Sequence, residues 1–161
     1  YNKAQCTRYV ANTLKQILNF VEDRRIDYYI YKNAPGYQGY YEALYDKYFH
    51  SKVIDKALQS NEKTSQDLDS YMFRLINITN SNRNLRAIPG LMKIWKTLDL
   101  KNIDRLKTTK DALDVAAEVF ILLSQTYLLQ RNKKKNLVEI KTKVNQKIVI
   151  VMVMAIVLLA N

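Results

Sequence analysis

Pro35, Gly36, Gly39, Pro89 and Gly90 are all the proline and glycine that this 161-residue chain contains, and they fall in two places. A β-sandwich or barrel needs a tight connection about every eight to twelve residues, drawing each time on a positive φ or a proline-fixed one. Two breakpoints cannot supply them. The chain is therefore predicted to be all-α, with long helices, and its 48% of hydrophobic residues are enough for one ordinary core.

Apolar spacing places the helices. Val10, Leu14, Ile17 and Val21 step by four, three and four, which predicts an amphipathic helix from about residue 7 to residue 31. Residues 33–39 then form a loop, because they gather one proline and two glycines. Leu44, Tyr45, Tyr48, Phe49 and Val53 predict a second helix that continues through Ile54 to Leu58. Thr64 to Asp67 resembles a capping box ahead of Leu68, Met72, Leu75 and Thr79. Leu85, Ile88, Met92 and Trp95 mark a fourth helix expected to start at Pro89, since proline is tolerated in a first turn. Thr108 to Asp111 is another possible capping box, and it opens the clearest stripe of all, Leu113, Ala116, Phe120, Leu123 and Tyr127. Leu137, Ile140, Val144, Ile148, Val151, Ala155 and Leu158 form a closing stripe.

Helices joined by short links pack as antiparallel neighbours. The expected architecture is a single helical domain: an up-and-down four-helix bundle over residues 64–160, with residues 1–60 as an additional N-terminal helical, tyrosine-rich arm. Residues 148–160 are uniformly apolar. As a helix they rise only about 20 Å, against about 30 Å of bilayer hydrocarbon, so a buried central helix is favoured over a membrane span and over the buried β-strand that Ile148 to Val151 suggest.

Twenty-six Lys and Arg against fifteen Asp and Glu give a net charge of +11. Residues 131–147 carry Arg131, Lys133, Lys134, Lys135, Lys141, Lys143 and Lys147 against the single carboxylate Glu139, more than half of that excess. Such a field draws a protein toward acidic surfaces. Lys133, Lys141 and Lys143 lie off the closing stripe, so they can stay hydrated while the helix packs. Eight of the twelve tyrosines crowd into residues 28–48. With their apolar faces and single hydroxyls they suit a partly wet protein interface, and Tyr37, Tyr40 and Tyr41 at the first loop are the residues expected to touch a partner. Stacking on nucleic acid is disfavoured, because Asp23, Asp27, Glu42 and Asp46 would repel phosphates.

Catalytic motifs are sparse. The single cysteine, Cys6, opens a stretch from Gln5 to Ala11 that resembles the start of the nucleophile helix of CHAP-type cysteine amidases. That chemistry needs a histidine base on a sheet, whereas the only histidine, His50, lies in a helical pattern. One cysteine and one histidine do not supply a tetrahedral zinc site, and no glycine-rich phosphate loop is present. No enzyme activity, cofactor or metal is expected. Asn77-Ile78-Thr79 fits the glycosylation triplet, but nothing else demands a secretory route. The first residue is Tyr1 instead of methionine, which slightly favours a processed product. Trp95 lies on an apolar stripe and is read as core.

The helix pattern of residues 64–160 resembles PsbQ, the four-helix extrinsic subunit of photosystem II. Asn84 to Ala87 through Lys96 to Leu98 resembles that family's second helix, Ala112 to Leu129 its third, and the lysine-rich link with Val144 to Leu159 its basic turn and closing helix. The resemblance implies a non-catalytic protein of the thylakoid lumen, peripheral to the membrane, that docks through basic side chains and supports oxygen evolution. Residue by residue, the expectation is a non-enzymatic interaction subunit on a larger acidic or membrane-intrinsic assembly. The competing expectation is a membrane-active or secreted helical effector that uses the basic patch and the apolar C-terminal helix on an anionic lipid surface.

Overall fold

The computed structural model describes the backbone of residues 2–132 and the side chains of residues 2–126. Six α-helices and two 3-10 turns make up this part, and no strand occurs among the described residues. Helix α1 (Lys3–Asn33) opens on a capping box in which the Asn2 side chain accepts from the Gln5 amide (2.8 Å) and the Gln5 side chain accepts from the Asn2 amide (3.0 Å). It starts four residues before the predicted start and ends two later. The loop expected over residues 33–39 shrinks to Ala34 and a single 3-10 turn, Pro35–Tyr37, because a proline needs no hydrogen bond in a first turn. Helix α2 (Gln38–Tyr48) follows at once, with Gly39 inside it.

The predicted second helix is two helices. After α2 the chain kinks at residues 49–51 before α3 (Lys52–Gln59) begins behind an extended Ser51. Asn80 explains the break: its buried amide donates to the Phe49 carbonyl (2.9 Å) and to Asp55 (2.7 Å), satisfying the interrupted backbone from a distant part of the chain. Helix α4 (Leu68–Ile76) is capped by Asp67, which accepts from the Ser70 amide (2.8 Å), so the cap lies three residues beyond the predicted Thr64. Thr64 instead donates to the Asn61 carbonyl.

Helix α5 (Leu91–Leu98) starts after Pro89, with Gly90 as N-cap at φ +85°. Leu85 and Ile88 precede the helix in turns and bends, and of the predicted stripe only Ile88 is fully buried: Met92 is exposed and Leu85 and Trp95 are half covered, while Leu91, Ile94 and Leu98 form the buried face of α5. An alanine at Gly90 would strain the left-handed backbone and place its Cβ 2.6 Å from Thr126 Oγ1. Gly90→Ala is expected to cost about 1–3 kcal/mol in urea unfolding with an unchanged m-value. A neutral result would contradict this cap.

A 3-10 turn (Leu100–Arg105) leads into α6 (Thr109–Asn132). The expected capping box is present: Thr108 Oγ1 accepts from the Asp111 amide (3.2 Å), and Asp111 accepts from the amides of Thr108 (2.8 Å) and Lys107 (2.9 Å). These bonds hold the Asp111 carboxyl below its ordinary range. The buried face of α6 is Ala112, Ala116, Val119, Phe120 and Leu123, with Leu113 only half covered.

The Thr109 hydroxyl donates to Glu22 (2.7 Å) and Arg25 donates to the Lys107 carbonyl (3.4 Å), so α6 begins beside residues 22–25 of α1. Every buried residue of α1, from Thr13 to Val21, precedes that point, and α6 packs on them. The two helices are therefore antiparallel. Helix α5 packs on α6 with Gly90 beside Thr126, so it too runs against α6. Leu14, Ile17, Phe20 and Val21 belong to the same buried cluster as Tyr71, Leu75, Ile94 and Phe120. Helix α1 is thus a wall of the core, a correction to its reading as an arm. Its stripe is as apolar as that of α6, and burying one against the other removes both from water. Among the described residues no helix is long and apolar enough to cross a membrane.

Candidate docking face and cleft

Helix α2 buries no residue. Tyr41 and Tyr45, one turn apart, hold it against α1. Tyr41 meets the Tyr31 ring edge-on at 5.5 Å, and the Tyr45 hydroxyl donates to Asp27. The Arg24 guanidinium lies 4.3 Å from the Tyr45 ring centroid and 3.2 Å from the Asp27 carboxylate, a cation–π contact and an ion pair made by one group. On the adjoining stripe, Tyr37, Tyr40, Leu44 and Tyr48 step by three, four and four at 60, 77, 48 and 58% exposure. Such a row normally faces a core; this one faces solvent. Tyr29 of α1 is also exposed.

Beneath α2 lies an open cleft of about 520 Å³. Arg24, Asp27, Tyr28 and Tyr31 of α1 form one side, Glu42, Tyr45 and Asp46 of α2 the other, and His50, Thr79, Leu100 and Ile103 close the end. Burial pushes the Asp27 carboxyl above its ordinary pKa, although the nearby Arg24 opposes the shift. Burial likewise raises Tyr31, reinforced by the charges of Asp27 and Glu42, and lowers Arg24. Arg24 Nε and His50 Nε2 are buried without a partner among the described residues.

Of the residues expected to meet a partner, Tyr37 and Tyr40 lie on the exposed stripe, whereas Tyr41 is turned to α1. Arg131 stands in the last turn of α6. Lys133, Lys134, Lys135, Lys141, Lys143 and Lys147 lie outside the described residues, as does the closing stripe. Because α6 runs antiparallel to α1 for 24 residues, Arg131 lies about 35 Å from the level of the tyrosines. Arg131 and the tyrosine face are separate places.

Cys6 is exposed near the start of α1, and His50 lines the cleft with Arg24, which lies about 27 Å further along that helix. The cysteine and histidine of an amidase do not meet. No group of three or more His, Cys, Asp or Glu among the described residues is placed to hold a metal ion. Asn77 of the glycosylation triplet is buried and donates to the Phe73 carbonyl (2.8 Å). Trp95 packs on the core, with Arg83 stacked 4.7 Å from its ring centroid. Asn84 to Ala87, part of the PsbQ-like pattern, lie in turns and bends.

The cleft itself was not anticipated, although a signal for it exists. Arg24, Asp27, Tyr28 and Tyr31 share one helical face at i, i+3, i+4 and i+7, a mixed charged and aromatic face that a search for apolar stripes passes over. Comparison with protein-family models, with curated proteins and with solved structures gives no match for this chain.

Proposed function

We propose that the chain is a non-enzymatic interaction subunit that docks on a larger assembly, with the outer stripe of α2 as its contact. The observation that carries this reading is a regular row of three tyrosines and a leucine facing water on a helix with nothing buried. Aromatic residues of this kind are enriched in interface cores. The opposite end of the molecule supplies the attraction for an acidic partner. Residues 2–21 and 119–132 hold four Lys and Arg and no Asp or Glu, and residues 133–147 continue that charge.

In this proposal residues 137–159 complete the up-and-down four-helix arrangement of residues 64–160 by running back along α6. Leu113, Ala117 and Ile121, half-covered at i, i+4 and i+8, give them an apolar row to pack on. The PsbQ-like pattern names one host for such a subunit, the lumenal side of photosystem II. The competing reading, a membrane-active effector, is favoured by the basic stretch standing directly before thirteen apolar residues.

A photo-crosslinking benzoylphenylalanine in place of Tyr40 is expected to trap one discrete protein in an extract of the source cells. The same reporter at Lys110, exposed on α6, is expected to trap none. Tyr48→Glu should abolish the Tyr40 crosslink and leave the melting curve unchanged, since an exposed substitution costs at most about 0.5 kcal/mol. Crosslinking that survives Tyr48→Glu, or that is equal at both positions, would overturn the docking face.

A further inference from the structure

The cleft between α1 and α2 is inverted in charge relative to the protein around it. In a chain of net charge +11, its lining carries three carboxylates, Asp27, Glu42 and Asp46, one guanidinium, Arg24, and no lysine. The carboxylates are arranged for access. Glu42 and Asp46 stand one turn apart on the exposed rim, each with one oxygen engaged by a neighbour on its own segment, Gln38 (2.7 Å) and His50 (3.3 Å). Asp27 lies deeper, with Oδ2 taken by Arg24 and Tyr45.

Opposite the rim, Tyr28 and Tyr31 line the α1 side, and the lining as a whole is mainly apolar. The cleft volume of about 520 Å³ falls in the range of small-molecule sites, about 300–1,000 Å³. One cation already occupies this environment: the Arg24 guanidinium, stacked on Tyr45 and paired with Asp27, remains there in spite of its desolvation. Aromatic faces and carboxylates together recognise ammonium groups, and a low-dielectric cleft concentrates their field.

We infer that this cleft is a binding site for an organic cation, an ammonium group carried on a flat apolar body, with Glu42 and Asp46 receiving the charge and Tyr28 and Tyr31 the body. An anionic ligand would meet uncompensated carboxylates. The inference is independent of the docking reading, which concerns the opposite side of α2.

The test is calorimetric titration of the full chain with three indoles that differ in charge. Tryptamine is expected to bind, tryptophol, neutral with the same ring, at least tenfold more weakly, and indole-3-acetate not at all. Glu42→Gln with Asp46→Asn, both exposed, should weaken tryptamine at least fivefold while the thermal melt stays in place. Titration with N-acetyl-tryptophyl-lysine amide distinguishes the source of the ammonium: tighter binding than tryptamine assigns it to a side chain of a docking protein, weaker binding to a free amine. Equal binding of the three indoles, no binding of tryptamine at about 5 mM (about the weakest affinity of interest, a Kd in the millimolar range), or undiminished binding by the double variant overturns the proposal.

Discussion

Replacing Arg74 with methionine is expected to lower the unfolding free energy by about 3–5 kcal/mol, because a buried charged donor set is lost while the aliphatic stem of the side chain is kept. Arg74 is 2% exposed and forms no ion pair among the described residues. Its guanidinium donates instead to three carbonyls: Lys63 (2.7 Å), Glu62 (2.8 Å) and Leu58 (3.4 Å). Those carbonyls belong to the end of α3 and the turn after it, where Lys63 takes a left-handed φ of +50°. Methionine replaces the stem but not the guanidinium, and leaves the carbonyls stranded. Arg74→Lys should fall between, since one ammonium cannot span all three acceptors. Equilibrium urea unfolding gives the magnitude, and faster amide exchange over residues 52–67 in the methionine variant gives the location. A loss below about 1 kcal/mol would show that the turn is held by other contacts.

Phe120→Ala should cost a similar amount, about 3–5 kcal/mol, for a different reason: it opens a cavity where α6 meets α1 and α5. Phe120 is 5% exposed and sits in the middle of the buried face of α6. Tyr40→Ala is the matched comparison. It removes an equally large ring from a site 77% exposed, and its cost should stay within about 0.5 kcal/mol. Urea midpoints for the two variants separate core from docking face. Near-equal values would contradict the burial pattern on which both rest.

Sequence reading found what repeats locally. Val10 to Val21 on α1 and Ala116 to Leu123 on α6 are amphipathic over several turns, and each packs as its period requires. The Thr108 capping box was equally plain, because all its partners lie within four residues. What escaped depends on contacts distant in sequence. The kink between α2 and α3 is fixed by Asn80, 31 residues beyond the carbonyl it satisfies. Arg74 appeared as one more cation, since no local pattern distinguishes a guanidinium that caps a distant helix end from one in water. The role of α1 as core instead of arm follows from its antiparallel pairing with α6, which begins more than 80 residues later.

The tyrosine cluster was legible as a density but not as a division of labour. Tyr41 and Tyr45 are covered because Tyr31 and Asp27 meet them there, whereas Tyr37, Tyr40 and Tyr48, on the adjoining stripe of the same helix, have no such partner on α1 and stay exposed. The cleft beneath them combines residues from α1, α2 and the turn at residues 100–105, a juxtaposition that only the fold creates.

Flotation of the intact chain with protein-free vesicles, neutral phosphatidylcholine in one gradient and phosphatidylcholine with phosphatidylserine in the other, tests the docking account most directly. A subunit whose apolar segment is packed in its own bundle and whose partner is a protein should remain at the bottom of both gradients at physiological salt. Recovery of the chain in the floating fraction, whether of both vesicle types or of the anionic ones alone, would contradict the account and assign the basic stretch and residues 148–160 to lipid.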